Sequence, residues 1–367
     1  MDSHFSHFSD EKFQNELLGK LNLLQYCKSI DELRATCNLI LDMIRLDHDF
    51  MASDFLPSGD ADIKIGLESL TKELKQIRDS FTFERGMYYT RRLLKSLTQS
   101  RTTKINDINL LRWKDYGDIL TDSFWSFERR TRQGSHSGWY WGNFVPQIPN
   151  QLLRRYTKQN DWVLDPFSGS GTTLIECKRL GRNGVGIELN PAVVQESKKV
   201  IDAEDNPFNV KINLLNADSS AATKEDIFAD APVSSFQFII LHPPYSNIIR
   251  FSKDSRDLSN FESTSDFLSA FEKIVENVKT YLDDGRYMGL VIGDKFSHGE
   301  WIPLGFMTMN QVLKHEFTLK SIVVKNFEDT RGKRNSSGLW RYRALLGGYY
   351  VFKHEYIFIF RKEKGRD

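Results

Sequence analysis

Between residues 162 and 360, short apolar, β-rich runs alternate with stretches of helical periodicity, and this alternation restricts the fold more than any other feature. The runs fall at 162–164, 184–187, 212–215, 238–241, 287–292, 319–324 and 356–360. Helical segments such as 172–180, 191–200 and 265–282 lie between them. Strands separated by helices predict an α/β fold, here a Rossmann-like doubly wound sheet of seven strands. Such sheets bind ligands beyond the carboxyl ends of their strands. The residues that directly follow each run are therefore where chemistry is expected.

Asp165-Pro166-Phe167-Ser168-Gly169-Ser170-Gly171-Thr172-Thr173 follows the first run and leads into a helical pattern. Its glycines let backbone approach a ligand, and the helix start offers unpaired N–H groups. Glu188 closes the second run, about twenty residues on, where a carboxylate can accept both hydroxyls of a ribose. The turn lacks the G-x-G-x-x-G spacing of dinucleotide folds, and Asp165 at its start would repel a phosphate. A carboxylate there suits a cationic ligand. Asp218, after the third run, can accept from an adenine amino group or cap a turn.

His242-Pro243-Pro244-Tyr245 follows the fourth run. Two consecutive prolines stiffen a loop and fix where its carbonyls point. Glycine turn and Pro-Pro-Tyr, in this order and at strand ends, resemble the motifs of bacterial AdoMet-dependent DNA amino-methyltransferases, the N4-cytosine and N6-adenine enzymes of restriction-modification systems. The resemblance covers about residues 136 to 362, including Lys353 to Lys362 as the last strand. It implies that Asp165, Phe167, Gly169, Ser170, Gly171, Thr172, Thr173, Glu188 and Asp218 hold AdoMet, a sulfonium with an amino group and no phosphate. Trp139 to Pro146 resembles the family segment that closes over the cofactor, with Phe144 packing on it. His242, Pro243, Pro244 and Tyr245 are implied as the catalytic loop. The Pro243 carbonyl would accept a hydrogen of the target amine, and Tyr245 would stack on a base turned out of the duplex. The family usually has Asp, Asn or Ser at the first position of this loop. Serine leans toward cytosine and the other two toward adenine. A neutral imidazole has one acceptor nitrogen, so His242 can take one amine hydrogen and decides neither base.

Residues 1–133 read as helical: Phe13, Leu17, Leu18, Leu21 and Leu24, then Leu33, Cys37, Ile40, Leu41 and Ile44, recur at helical spacing. Segments 65–77 and 87–97 repeat the pattern, Ser29 or Asp31 can cap the second helix, and a loop is expected at 56–60. Gly134 to Gly138 marks a junction. The expected domains are a helical region, 1–133, for DNA recognition or dimerisation, and a catalytic domain, 134–367. Net charge is +1, so nucleic-acid binding needs basic residues gathered locally. Two such places are Arg85 to Lys104, with Tyr88 and Tyr89 interleaved, and a loop read over 329–350. In that loop Arg331, Lys333, Arg334, Arg341 and Arg343 can contact phosphates or guanine edges. Arg129, Arg130 and Arg132 at the junction can assist, and the 246–261 loop, with Asn247, Arg250, Lys253 and Arg256, can close over a flipped base.

Three widely spaced cysteines give neither a disulfide framework nor a zinc pattern, and no metal is expected. No stretch has the length of a membrane span, and the polar start is no signal peptide, which together predict a cytoplasmic protein. The expected activity is methylation of an exocyclic base amine in double-stranded DNA, cytosine N4 before adenine N6, by a monomer or homodimer paired with a cognate restriction endonuclease. An RNA base-amine methyltransferase and an inactive AdoMet-binding regulator are the alternatives.

Overall fold

The computed structural model describes residues 13, 15–46, 55–57, 64–326 and 337–364. The chain divides into two compact units, Met1–Lys104 with Ile108–Asp118, and Ile105–Asp107 with Ile119–Asp367.

The first unit is built on helices: 15–23, α1 (Ile30–Leu46), α2 (Leu67–Arg78) and α3 (Phe83–Thr98). Leucines and isoleucines three or four apart put one stripe of each helix inside. Leu17, Leu21, Leu33, Ile40, Leu70, Leu74, Ile77 and Leu93 form the core. Ser29 caps α1, its hydroxyl accepting from the Glu32 N–H at 3.2 Å. A short antiparallel pair, Phe55–Pro57 with Lys64–Gly66, interrupts the helices. Leu56 and Pro57 therefore lie in a strand rather than in the expected loop. Ser58, Gly59 and Asp60 are outside the described residues.

The second unit holds an eight-stranded sheet. Its strands are β1 (Phe124–Trp125), β2 (Trp162–Asp165), β3 (Asn183–Glu188), β4 (Ile212–Asn216), β5 (Phe236–Leu241), β6 (Leu282–Ile292), β7 (Phe317–Asn326) and β8 (His354–Lys362). Their order is β1-β7-β8-β6-β5-β2-β3-β4. The five strands from β6 to β4 are parallel; β8 runs antiparallel to both β6 and β7. All seven predicted runs are strands. The eighth, β1, is an edge strand that pairs with β7; two residues are too short for a periodic signal, and its partner is far along the chain. It lies within the second compact unit.

Central strands read as continuous apolar runs because helices cover both faces. Along β5, Ile239 and Leu241 pack with Phe267, Phe271 and Val275 of α7 (Thr264–Lys279), while Phe238 and Ile240 pack with Ile148 and Leu152 of α4 (Gln147–Tyr156). Further helices α5 (Thr172–Leu180) and α6 (Pro191–Asp202) flank β3 and β4. A helix α8 (Leu304–Leu313) follows β6. The three cysteines are free and buried. No helix among the described residues is long and apolar enough to cross a membrane.

Candidate active site

The chain leaves β2 for β3 on one side, and β5 lies on the other, so the strand order reverses at β2. Doubly wound sheets open a crevice at such a point. Asp165 ends β2 and His242 directly follows β5, which places both sequence motifs at the mouth of one crevice. A cavity of about 1560 Å³ lies there. Of the expected cofactor residues, Phe144, Asp165, Phe167, Gly169, Ser170, Thr172, Glu188 and Asp218 line it, as do His242, Pro243, Pro244 and Tyr245.

In the glycine turn, Gly169 and Gly171 adopt left-handed φ of 48° and 76°, which glycine takes without strain. Gly171 faces the helix layer: a Cβ there would lie 2.5 Å from the Ile201 side chain. Thr173 is fully buried. These two therefore shape the turn from behind. Asp165 is almost wholly buried and accepts from the Phe167 N–H at 3.0 Å. Burial pushes its carboxyl up to about 7. Among the described residues no lysine or arginine pairs with it, so a buried carboxylate faces the cavity without a cation. The Glu188 carboxylate accepts from the Gly169 N–H at 3.1 Å and the Asn190 N–H at 2.8 Å, and burial raises its pKa. Each oxygen keeps a second lone pair. Asp218 caps its own turn, Oδ1 accepting from the Ser220 N–H at 2.9 Å and the Ser220 hydroxyl at 2.7 Å.

The aromatic segment before α4 lies across the turn. Tyr140, which the sequence reading did not single out, packs on the turn: a Cβ at Gly169 would sit 3.0 Å from its ring. It stacks on Phe251 with centroids 5.6 Å apart. Phe144 packs against His242, centroids 4.6 Å apart. Arg130 holds the segment in place, donating to the Asn143 Oδ1 at 3.1 Å and the Phe144 carbonyl at 2.8 Å. Asn143 in turn donates to the Ser170 hydroxyl at 2.9 Å.

The Pro-Pro-Tyr loop is tightly held. The Ser246 N–H donates to the Pro244 carbonyl at 2.9 Å, closing an inverse γ-turn at Tyr245, whose φ and ψ are −82° and 62°. The buried Lys295 ammonium donates to the Ser246 hydroxyl at 3.2 Å and also to Asn247 Oδ1. Among the described residues nothing donates to the Pro243 carbonyl. The Tyr245 hydroxyl donates to Glu355 Oε2 at 2.6 Å, and Lys325 Nζ lies 3.2 Å from Glu355 Oε1. His242 Nε2 is 3.5 Å from the Tyr245 oxygen. Burial pushes the His242 imidazole down to about 4, so it is neutral at pH 7.

A family model described as DNA methylase, covering N6 and N4 methyltransferases, matches residues 70–199 and 236–366. The chain belongs to the N6/N4 DNA methylase family. The family's cofactor is AdoMet, and the cavity suits it: the unpaired buried Asp165 offers an anion to an ammonium, and Glu188 retains acceptor capacity for hydroxyls. Similar curated proteins include the type II methyltransferases M.MjaII of Methanocaldococcus jannaschii, 37% identical over 83 residues, and M2.DpnII of Streptococcus pneumoniae, 41% over 68. M.HpaI of Haemophilus parainfluenzae is 43% identical over 67 residues. These matches take in 22%, 17% and 17% of this chain and only 14%, 25% and 21% of the relatives.

Two residues beside the N6/N4 methylase loop, Glu355 and Lys325, were missed from sequence. Their signal was a charge at the end of an otherwise apolar run. They face each other across β7 and β8, and β8, being antiparallel, starts at the edge where the parallel strands end. The DNA-contact candidates are less gathered. Arg331, Lys333 and Arg334 lie outside the described residues. Arg341 and Arg343 are exposed on a helix, α9 (Ser337–Gly347), where a loop was expected. The Gly, Asn and Ser content that suggested a loop ends at Gly338, and Leu339 to Leu346 is rich in helix formers. On α3, Arg85 and Arg92 lie over the Tyr89 ring at 4.7 and 5.0 Å, and Arg92 is also 3.6 Å from Glu73. In the 246–261 loop, Asn247 and Arg250 bond Glu262, and Arg256 pairs with Asp254 at 2.6 Å.

Proposed function

We propose that this chain transfers a methyl group from AdoMet to an exocyclic amine of a base in double-stranded DNA. One observation carries the reading: the glycine turn with its cation-seeking Asp165 and the His242-Pro243-Pro244-Tyr245 loop line a single cavity at the strand-order reversal. When bound, AdoMet supplies an electrophilic methyl carbon on a sulfonium. Asp165 would hold the methionine ammonium, Glu188 the ribose hydroxyls and Asp218 the adenine amino group, with Phe167, Gly169, Ser170 and Thr172 shaping the seat and Tyr140 covering it. An exocyclic amine is a weak nucleophile because its lone pair is delocalised into the ring. The Pro243 carbonyl and the His242 imidazole accept its two hydrogens, which turns the nitrogen lone pair toward the methyl carbon. On methylation the amine must shed one proton, and the neutral His242 would take it. Tyr245 and Pro244 flank the flipped base.

Within this reading cytosine N4 is the target. His242 is held neutral, as the serine of cytosine-directed relatives would be, whereas an aspartate would be anionic. The type II names of the matched relatives support a protective role beside a cognate endonuclease. Arg341, Arg343 and the basic face of α3 are the proposed phosphate contacts, Arg331, Lys333 and Arg334 joining them, so the helical region would share target recognition.

Expression in a methylation-free bacterium, followed by single-molecule sequencing of its DNA, tests the proposal. N4-methylcytosine in one short sequence context is expected. N6-methyladenine would reassign the base and keep the activity. AdoMet binding with no modified DNA, together with methyl transfer to RNA in a competition assay, would replace the substrate; no transfer to either would leave a binding protein.

A further inference from the structure

His242 is useful as an acceptor in only one of its two neutral forms, and the structure contains a device that selects between them. Neutral imidazole carries one N–H and one lone pair, and the hydrogen bond made by one nitrogen decides the state of the other. The Tyr245 oxygen is the polar atom facing Nε2. Its own hydrogen is already committed to Glu355 at 2.6 Å. A phenol whose hydrogen is spent can only accept, so Nε2 must carry the hydrogen and Nδ1 the lone pair. The 3.5 Å separation is long, as bonds at reactive groups often are before substrate binds.

Each member of the relay is fixed from outside. Glu355 is buried and is held by Lys325 at 3.2 Å, its direct neighbour across the β7–β8 ladder. The Tyr245 ring lies on Gly293, where a Cβ would be 2.9 Å from the ring. The His242 ring is packed against Phe144, which opposes a ring flip that would exchange its nitrogens. The Glu355 and Lys325 charges, from β8 and β7, act on His242, and the Phe144 and Tyr245 rings pack against it.

We propose that Glu355, acting through the Tyr245 hydroxyl, is a positioning residue that holds His242 as its Nε2–H tautomer and leaves Nδ1 to accept the target amine. The inference rests on the proposed methyl transfer and assigns a second role to Tyr245, whose ring would stack on the base while its hydroxyl sets the imidazole. A carboxamide or carboxylate at the first loop position needs no such setting, because its oxygen is always an acceptor.

Two measurements test it. Nitrogen-15 spectra of the uniformly labelled full chain, with the His242 signals identified among eight histidines by comparison with His242→Asn, should show a protonated Nε2 and an unprotonated Nδ1 at pH 7. Tyr245→Phe, which keeps the ring, should mix the two tautomers. Finding Nδ1–H as the main form in the wild type would overturn the proposal, whatever the activity. In turnover, Tyr245→Phe should lower kcat by about tenfold or more with the AdoMet Kd and the KM for DNA unchanged. On the His242→Asn background the same change should cost less than about threefold. A loss of equal size in both backgrounds, or none in the wild type, refutes the relay. Absence of methyl transfer by the wild type with the Nε2–H tautomer intact would instead reject the methyltransferase reading alone.

Discussion

Asp165 is a carboxylate kept from water, with no lysine or arginine paired to it among the described residues, and its ionisation should therefore report cofactor binding. In the free chain burial holds its pKa at about 7, so it is mostly protonated below that pH. An ammonium bound against it favours the anion, and binding below pH 7 must expel a proton. AdoMet affinity is then expected to rise about tenfold per pH unit up to pH 7 and to level off above it. Titration calorimetry in buffers of different ionisation enthalpy reads both the affinity and the proton released. Asp165→Asn should bind more weakly and show a flat profile. A flat profile in the wild type would mean that Asp165 does not meet the cation. The residues of this kind were legible in the sequence because they sit beside a turn whose chemistry is local. Glu355 and Lys325 were not, since their meeting with Tyr245 depends on which strands are neighbours.

At the scale of elements, the strand-turn-helix β2–α5 and the loop after β5 could be read directly, because periodicity and punctuation specify them over a few residues. The place of β8 could not. A last apolar run predicts a strand but not its antiparallel insertion between β6 and β7, and that insertion is what carries Glu355 to the cavity. The covering segment shows the same limit. Its aromatics were recognised, but Phe144 packs on His242, while Tyr140 meets Gly169 and stacks on Phe251. A stack of this kind joins the aromatic segment to the 246–261 loop over the glycine turn. Phe251→Ala should loosen that cover and speed AdoMet dissociation, weakening binding by about tenfold at a nearly unchanged association rate. Stopped-flow fluorescence, with Trp139 and Trp141 as reporters, measures both rates. Equal dissociation rates in variant and wild type would leave the cover without a role in retention.

At the scale of the whole molecule, each of the two units has an apolar core of its own. Leu17, Leu21, Leu33, Leu74 and Leu93 belong to the helical core, and Phe236, Phe267, Phe271, Phe358 and Phe360 to the sheet unit. Helical periodicity revealed the first core and alternation the second. Separate cores make separate unfolding steps the expected behaviour. Among the described residues, the cavity proposed for AdoMet is lined by the sheet unit, so cofactor at about a hundredfold above its Kd should stabilise that step by about 2.7 kcal/mol. Leu74 is fully buried in the helical core, and Leu74→Ala should cost about 2–5 kcal/mol there. Scanning calorimetry of the full chain is then expected to show two transitions, one raised by AdoMet and the other lowered by Leu74→Ala, with the AdoMet Kd of the variant unchanged. A single transition moved by both would show that the units unfold as one body, and the cofactor would then stabilise the helical region through cooperative unfolding rather than through any contact with it.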